Sequence, residues 1–330
     1  MMLTPKDLHE LADQLPVLTF NAQGNSDWLQ STLVQTYLDD YNINFAKEFP
    51  FLVHGFGSVH AAGFKIATHY WLPQHAIGTL VLVHGYYDHL GIFDHPIRFA
   101  LQHNLAVIGF DLPGHGLSSG EPAAIDSFDQ YGDVLAEVLK QSAVIMPQPM
   151  YALGQSTGCA VLMNYLWRYT QTQNRLVKFI KIAFCSPLVL PRGWRGLQMG
   201  STVYAVLRHF VRQISRTFSQ SSHDLEFNRF LKEQDPLQAR TLPLSWVGAM
   251  KAWHEMLLDL APLQNDCLIV QGTADMTVEW RYNMSVLQQK LPNARIVYIQ
   301  NAGHQLVNES PEYRDQVFAA IEHYFLTNAD

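Results

Sequence analysis

The stretch YALGQSTGCAVLMNYLW, residues 151–167, decides how the rest of the chain is read. An apolar run of β character ends in Gly-Gln-Ser-Thr-Gly and passes directly into apolar positions at helical spacing. At such a strand-to-helix junction a tight turn projects a serine hydroxyl above the sheet edge, and Gly154 and Gly158 leave room for strand and helix to pack closely. Taken alone, a G-x-S-x-G motif is more often an ordinary turn. A serine hydroxyl attacks only if a histidine takes its proton, a carboxylate orients that histidine, and N–H donors receive the developing oxyanion. The question for Ser156 is whether the remaining sequence supplies all three.

Working outward, short β-rich runs recur: TLVLVHG, LAVIGFD, MYALGQS, KFIKIAFCS, DCLIVQG and RIVYIQNAGH. Helix-period segments fall around residues 127–145, 157–170, 280–290 and 311–326. Strands alternating with helices predict an α/β fold with a mostly parallel central sheet covered on both faces, and the unbroken apolar character of the strands agrees. In such sheets ligands sit beyond the carboxyl ends of the strands.

Upstream, FLVHGFGSVHAAGFKIATHYWLP reads as an antiparallel hairpin. Residues 1–50 read as a helical extension, with Thr4 and Ser26 as possible caps for LHELADQL and SDWLQSTLVQTYLDDY. Between FCSPLVL and DCLIVQG the connection is far longer than the usual few residues, so it must carry structure of its own. Residues 187–262 are therefore expected to form a helical cap inserted into a core of residues 51–186 and 263–330. One cap helix is expected through Val203, Val206, Leu207, Phe210, Val211, Ile214 and Phe218, and a second in PLSWVGAMKAWHEMLLDL.

The three requirements of Ser156 are met at strand ends. Asp275 follows CLIVQG and His304 follows RIVYIQ, giving the order Ser, Asp, His expected of an α/β-hydrolase. VLVHGYYDHLGIF supplies a His-Gly turn after an apolar strand, which makes the N–H groups of Tyr86 and Thr157 the expected oxyanion donors.

The set HGYYDHLG, DLPGHGLSSG, GQSTG, GTADMTV and NAGHQLV resembles the α/β-hydrolase superfamily, most of all its monoacylglycerol lipase/lysophospholipase-like serine hydrolases of serine aminopeptidase S33 type. The cap stretch HDLEFNRFLKEQDPL is similar to an Asp-Pro-containing segment found there. The likeness spans about residues 51–326 and implies a helical cap, ester hydrolysis without a cofactor, and Ser156, Asp275 and His304 as the triad. Gln155, Thr157 and Cys159 depart from the family's usual Gly-His-Ser-Met-Gly-Gly elbow, and bulky Tyr86 replaces a residue that is often small. Tyr87 and Gln155 are expected to border the substrate pocket.

With 22 basic against 29 acidic residues, the net charge of −7 gives no global footprint for nucleic acid. No long uninterrupted apolar run and no basic leader is present, which predicts a cytoplasmic protein. Cys159, Cys185 and Cys267 lie in apolar runs and read as buried thiols. His84, His89 and His95 match no compact zinc spacing, so no metal is expected; Asp111 and His115 read as braces of neighbouring turns, and His54 as part of the early hairpin. Arg208, Arg212 and Arg216 recur every four residues, which on a helix forms one stripe. The plain reading is a solvated face; the functional one is a peripheral contact with anionic lipid at the inner membrane face. The residues thus favour a hydrolase of acyl esters such as monoacylglycerols or lysophospholipids. Small-ester hydrolysis, thioester or amide cleavage, acyl transfer, and a catalytically silent binding module stand as the alternatives.

Overall fold

The computed structural model of the chain describes residues 3–169, 177–194, 204 and 210–327. Eight strands form the central sheet: β1 (Val53–Ala61), β2 (Phe64–Leu72), β3 (Gly78–Val83), β4 (Leu105–Phe110), β5 (Met150–Gln155), β6 (Phe179–Cys185), β9 (Cys267–Gly272) and β10 (Ala294–Ile299). Their spatial order is β1-β2-β4-β3-β5-β6-β9-β10. The pairs β1–β2 and β2–β4 are antiparallel and all the others parallel. The hairpin and the α/β alternation are therefore as expected.

Every residue of β3, β4, β5 and β9 is buried, which is why these strands read as continuous apolar runs rather than alternating ones. The period-2 pleat still sorts their side chains. Val81 and Val83 join a core with helices Phe128–Ser142, Thr157–Tyr169 and Leu244–Asp259 on one face. Leu80 and Leu82 join a second core on the other face with helices Asp94–Gln102 and Pro311–Leu326. Helix Asp94–Gln102 is an addition to the expected set.

The amino-terminal residues belong to that second core. Leu8, Leu11, Val34, Tyr37 and Leu38 are buried against Phe56, Ala67 and Trp71 of the hairpin. Helix Pro5–Gln14 begins at Thr4 with a full capping box, Thr4 accepting from Asp7 N–H and Asp7 from Thr4 N–H. The second expected helix is two: Ser26–Leu29, then Thr32–Asp40 capped by Ser31. Ser26 is thus the first helical residue rather than the cap.

In the insertion between β6 and β9, PLSWVGAMKAWHEMLLDL forms the expected helix, Leu244–Asp259. The other expected helix needs correction from Phe210 onward, while Val203, Val206 and Leu207 lie outside the described residues. Arg208 lies outside the described residues, but Gln213–Ser215 is a strand (β7) paired antiparallel with β8 (Thr241–Pro243). Arg212 and Arg216 flank that strand, so they do not share a helix face. β-branched Val211, Ile214 and Thr217 suit extended backbone, and pairing with a distant segment overrides the local helical spacing. Among the described residues, no helix is long and apolar enough to cross a membrane.

Candidate active site

Ser156 sits between β5 and helix Thr157–Tyr169 with φ at +53°, the left-handed region that a non-glycine residue adopts only when its surroundings enforce it. The enforcement is visible on both sides. Ser156 N–H donates to Cys185 O at 2.9 Å, and its carbonyl accepts from Cys159 N–H and Leu188 N–H. A methyl on Gly158 would lie 2.0 Å from Val83 O, so this helix can approach β3 only with glycine there.

The loops after β9 and β10 bring the other two residues to the serine. His304 Nε2 lies 2.9 Å from Ser156 Oγ, and His304 Nδ1 lies 2.7 Å from Asp275 Oδ2. A carboxylate can only accept at this position, so the network assigns the proton to Nδ1 and leaves Nε2 to receive one from the serine. Asp275 is fixed in turn by Thr277 N–H (2.8 Å) and Val278 N–H (3.1 Å) on Oδ1. Burial works against charge on both partners, but their mutual attraction and hydrogen bond outweigh it: His304 is held above, and Asp275 below, its ordinary value.

The expected oxyanion turn lies against this pair. Asp88 N–H closes a β-turn onto Gly85 O at 3.2 Å, with Tyr87 at φ +69°, and a methyl on Gly85 would come 3.3 Å from Ser156 Cβ. His84 accepts from Leu112 N–H at Nε2 and donates from Nδ1 to Gly85 O, both at 2.8 Å, which ties this turn to the loop after β4. Thr157 opens the helix behind Ser156. Asp111 accepts from Leu90 N–H of the segment after β3 and from Leu117 N–H, and His115 bonds Pro113 O, so both brace loops. His89 is paired with Asp235, His95 with Arg314, and His54 with His69 in the hairpin.

The two pocket candidates differ. The Tyr87 ring lies at the seam with the cap, 4.0 Å from the Tyr86 ring and 3.8 Å beneath the Arg216 guanidinium. Arg216 is held there by Phe218, Gln238 Oε1 and Ala239 O. Trp246 of the cap stacks on Tyr86 at 3.8 Å, so aromatic rings from core and cap form one wall. Gln155, by contrast, is fully buried and donates to His304 O at 2.8 Å. It braces the histidine loop and exposes no surface to a cleft.

Residues without a sequence motif of their own also hold this loop. Ser221 O of the cap accepts from both His304 N–H and Gln305 N–H at 2.9 Å. The buried Glu309 accepts from Gly303 N–H and His223 N–H. Gln305 Nε2 donates to both oxygens of buried Asp88, at 2.8 and 3.0 Å. The available signal was Asp88 beside Tyr86, Tyr87 and Leu90, where an acidic residue needs partners, whereas Glu309 stands between Asn308 and Ser310 and gives none.

Comparison with known proteins bears on the family and the fold. The family model of serine aminopeptidase, S33 (Hydrolase_4), matches residues 74–311. A pimeloyl-[acyl-carrier protein] methyl ester esterase of Nitrosomonas europaea is 26% identical over 266 residues, covering 73% of this chain and 94% of the relative. A monoacylglycerol lipase of Mycolicibacterium smegmatis is 28% identical over 126 residues, 38% of this chain and 44% of the relative. Among solved structures, the monoacylglycerol lipase of Paleococcus ferrophilus aligns with a TM-score of 0.64 at 20% identity, over 78% of this chain and 96% of that one. A monoglyceride lipase variant of Saccharomyces cerevisiae aligns with a TM-score of 0.67 at 15% identity, over 82% and 95%. The chain belongs to the serine aminopeptidase S33 family and is a hydrolase of the α/β-hydrolase fold.

Proposed function

We propose that the protein is a serine hydrolase of carboxylic esters in which Ser156 is the nucleophile, His304 the general base and acid, and Asp275 the residue that orients it. Ser156 Oγ attacks the ester carbonyl while His304 Nε2 takes its proton. The oxyanion is received by the N–H groups of Tyr86 and Thr157, and the imidazolium is stabilised by Asp275. His304 then protonates the departing alcohol, and water repeats the sequence on the acyl-enzyme to release the acid. The observation that carries this reading is the continuous Ser156–His304–Asp275 hydrogen-bond chain of 2.9 and 2.7 Å.

For the substrate we favour an acyl-chain ester, such as a monoacylglycerol or lysophospholipid. The aromatic wall of Tyr86, Tyr87 and Trp246 suits an apolar chain, and relatives named for methyl ester and monoacylglycerol cleavage support ester over amide. The decisive experiment is hydrolysis of a chromogenic ester series from short to long acyl chains, with Ser156→Ala in parallel. A Ser156-dependent optimum at medium or long chains is expected. A short-chain optimum points to a small-ester esterase, and selective turnover of thioesters or amides, or transfer to an alcohol, to those chemistries.

Contact with an anionic membrane surface belongs to the same proposal. Exposed Phe210, Val211, Ile214 and Leu225 share the described cap with Arg212, Arg229, Lys232 and Arg240. Binding to anionic vesicles that is unchanged when Phe210 and Ile214 are replaced by Ser would remove it.

A further inference from the structure

Two turns far apart in sequence must stay in register for this site to work. The turn Gly85–Asp88 carries the Tyr86 N–H and holds Tyr87 in the left-handed region. The other is the loop that carries His304. A conformation of that kind persists only where contacts over-determine it. One contact joins the two turns directly: the buried carboxylate of Asp88, the last residue of the first turn, receives the amide of Gln305, the residue after His304, at 2.8 and 3.0 Å. A methyl on Gly85 would lie 2.6 Å from Asp88 Oδ2 and 3.3 Å from Ser156 Cβ, so this carboxylate stands just across the turn from the nucleophile.

We propose that Asp88 and Gln305 are positioning residues, a buried carboxylate–amide bridge that holds the oxyanion donor of Tyr86 and the base His304 in one frame. The inference rests on the reading of Ser156 and His304 as nucleophile and base. It also assigns a charge effect. Asp275 faces His304 from the loop after β9, and Asp88 faces it from the turn after β3, adding to the pull that raises the imidazole's proton affinity. Arg216 and His89 face Asp88 in turn, and the Glu309–His223 pair lies behind Gly303. Burial raises Asp88 above the ordinary carboxylate value, and the Gln305 amide opposes that rise.

The two effects separate by substitution. Asp88→Asn keeps an acceptor for Gln305 but removes the charge; Asp88→Ala removes both. With a water-soluble chromogenic ester, Asp88→Ala is expected to lose about 10- to 100-fold in kcat with KM within about threefold, the size of effect that a displaced catalytic frame produces. Affinity for a trifluoromethyl ketone, whose serine adduct mimics the tetrahedral intermediate, should fall by the same factor. Asp88→Asn should recover most of kcat, while the acid limb of its kcat/KM profile moves to lower pH because His304 loses a neighbouring negative charge. If Asp88→Ala does not fold, Gln305→Ala is expected to show the same loss of kcat and ketone affinity. The inference is overturned if a folded Asp88→Ala or Gln305→Ala keeps both, or if Asp88→Asn is as slow as Ala with its acid limb unmoved. Ser156→Ala, run in parallel, separates the two readings: equal turnover in wild type and Ser156→Ala sinks the serine mechanism itself, whereas an inactive Ser156→Ala beside a fully active Asp88→Ala sinks only the bridge.

Discussion

His89 and Asp235 meet at 3.0 Å with neither side chain exposed to solvent. His89 follows the turn expected to bind the oxyanion, and Asp235 ends the π-helical turn Phe230–Gln234 of the cap, so the pair fastens cap to core beside the site. Two further side chains bond the same carboxylate: Tyr41 O–H donates to Oδ1 at 2.8 Å, and Gln238 Nε2 to Oδ2 at 2.9 Å. Tyr41 comes from the amino-terminal extension, so three parts of the chain meet at one carboxylate.

Breaking this pair leaves an unpartnered buried imidazole. Asp235→Ala is expected to lose about 3–5 kcal/mol of stability, and Tyr41→Phe about 1 kcal/mol, by urea denaturation. Burial works against charge on both partners, yet their attraction raises His89 above 6.5 and lowers Asp235 below 3.8. The Asp235 contribution is present above 3.8 and lost as pH falls through its lowered value. The His89 contribution is present below 6.5 and lost as pH rises through its raised value. The Asp235→Ala penalty should therefore be largest between pH 3.8 and 6.5. A penalty that grows steadily above that window would contradict the ion pair.

The proposed mechanism needs His304 neutral before attack. With its imidazole held above 6.5, the acid limb of kcat/KM is expected above pH 6.5. Asp275→Asn offers an amide where Nδ1–H needs an acceptor, favours the wrong tautomer, and should reduce kcat by about 10⁴-fold with little loss of stability. A pH–rate profile and a melting curve for the two proteins check both statements.

The elbow makes a steric prediction. Gly158→Ala puts a methyl 2.0 Å from a backbone oxygen of β3 that cannot swing away, and should either abolish folding or cost more than about 2 kcal/mol. Far-ultraviolet circular dichroism with thermal melting decides it, and a melting temperature equal to wild type would contradict the close packing.

Residues 1–50 supply one side of a core rather than a detachable arm. Their removal would uncover Phe56 and Trp71, both fully buried, each a side chain whose burial stabilises by roughly 1.5–3 kcal/mol or more. The truncated chain is expected to aggregate or bind a hydrophobic dye strongly; a monodisperse, fully active product would refute this.

Much of this was legible because each signal was local and redundant. The doubly covered strands are continuous apolar runs, Ser156 and Asp275 each follow one of them, and His304 follows the partly exposed edge strand β10. Helices Trp280–Lys290 and Pro311–Leu326 lie at the spacing-derived bounds. The errors arose where distant partners decide. The segment around Ile214 has helical spacing but finds a strand partner in Thr241–Pro243. Gln155 stands in a motif that suggests a pocket, yet its amide meets a carbonyl from residue 304. The bridge between Asp88 and Gln305, 217 positions apart, leaves no periodic trace in the sequence at all.

The proposed chemistry requires Ser156 to be the activated nucleophile. The most direct measurement is intact-protein and peptide mass spectrometry after treatment with a fluorophosphonate, on wild type, Ser156→Ala and His304→Ala. One adduct confined to Ser156, absent from Ser156→Ala and strongly slowed in His304→Ala, is the predicted result. No adduct on folded wild-type protein, or labelling at another residue that persists in Ser156→Ala, would contradict it.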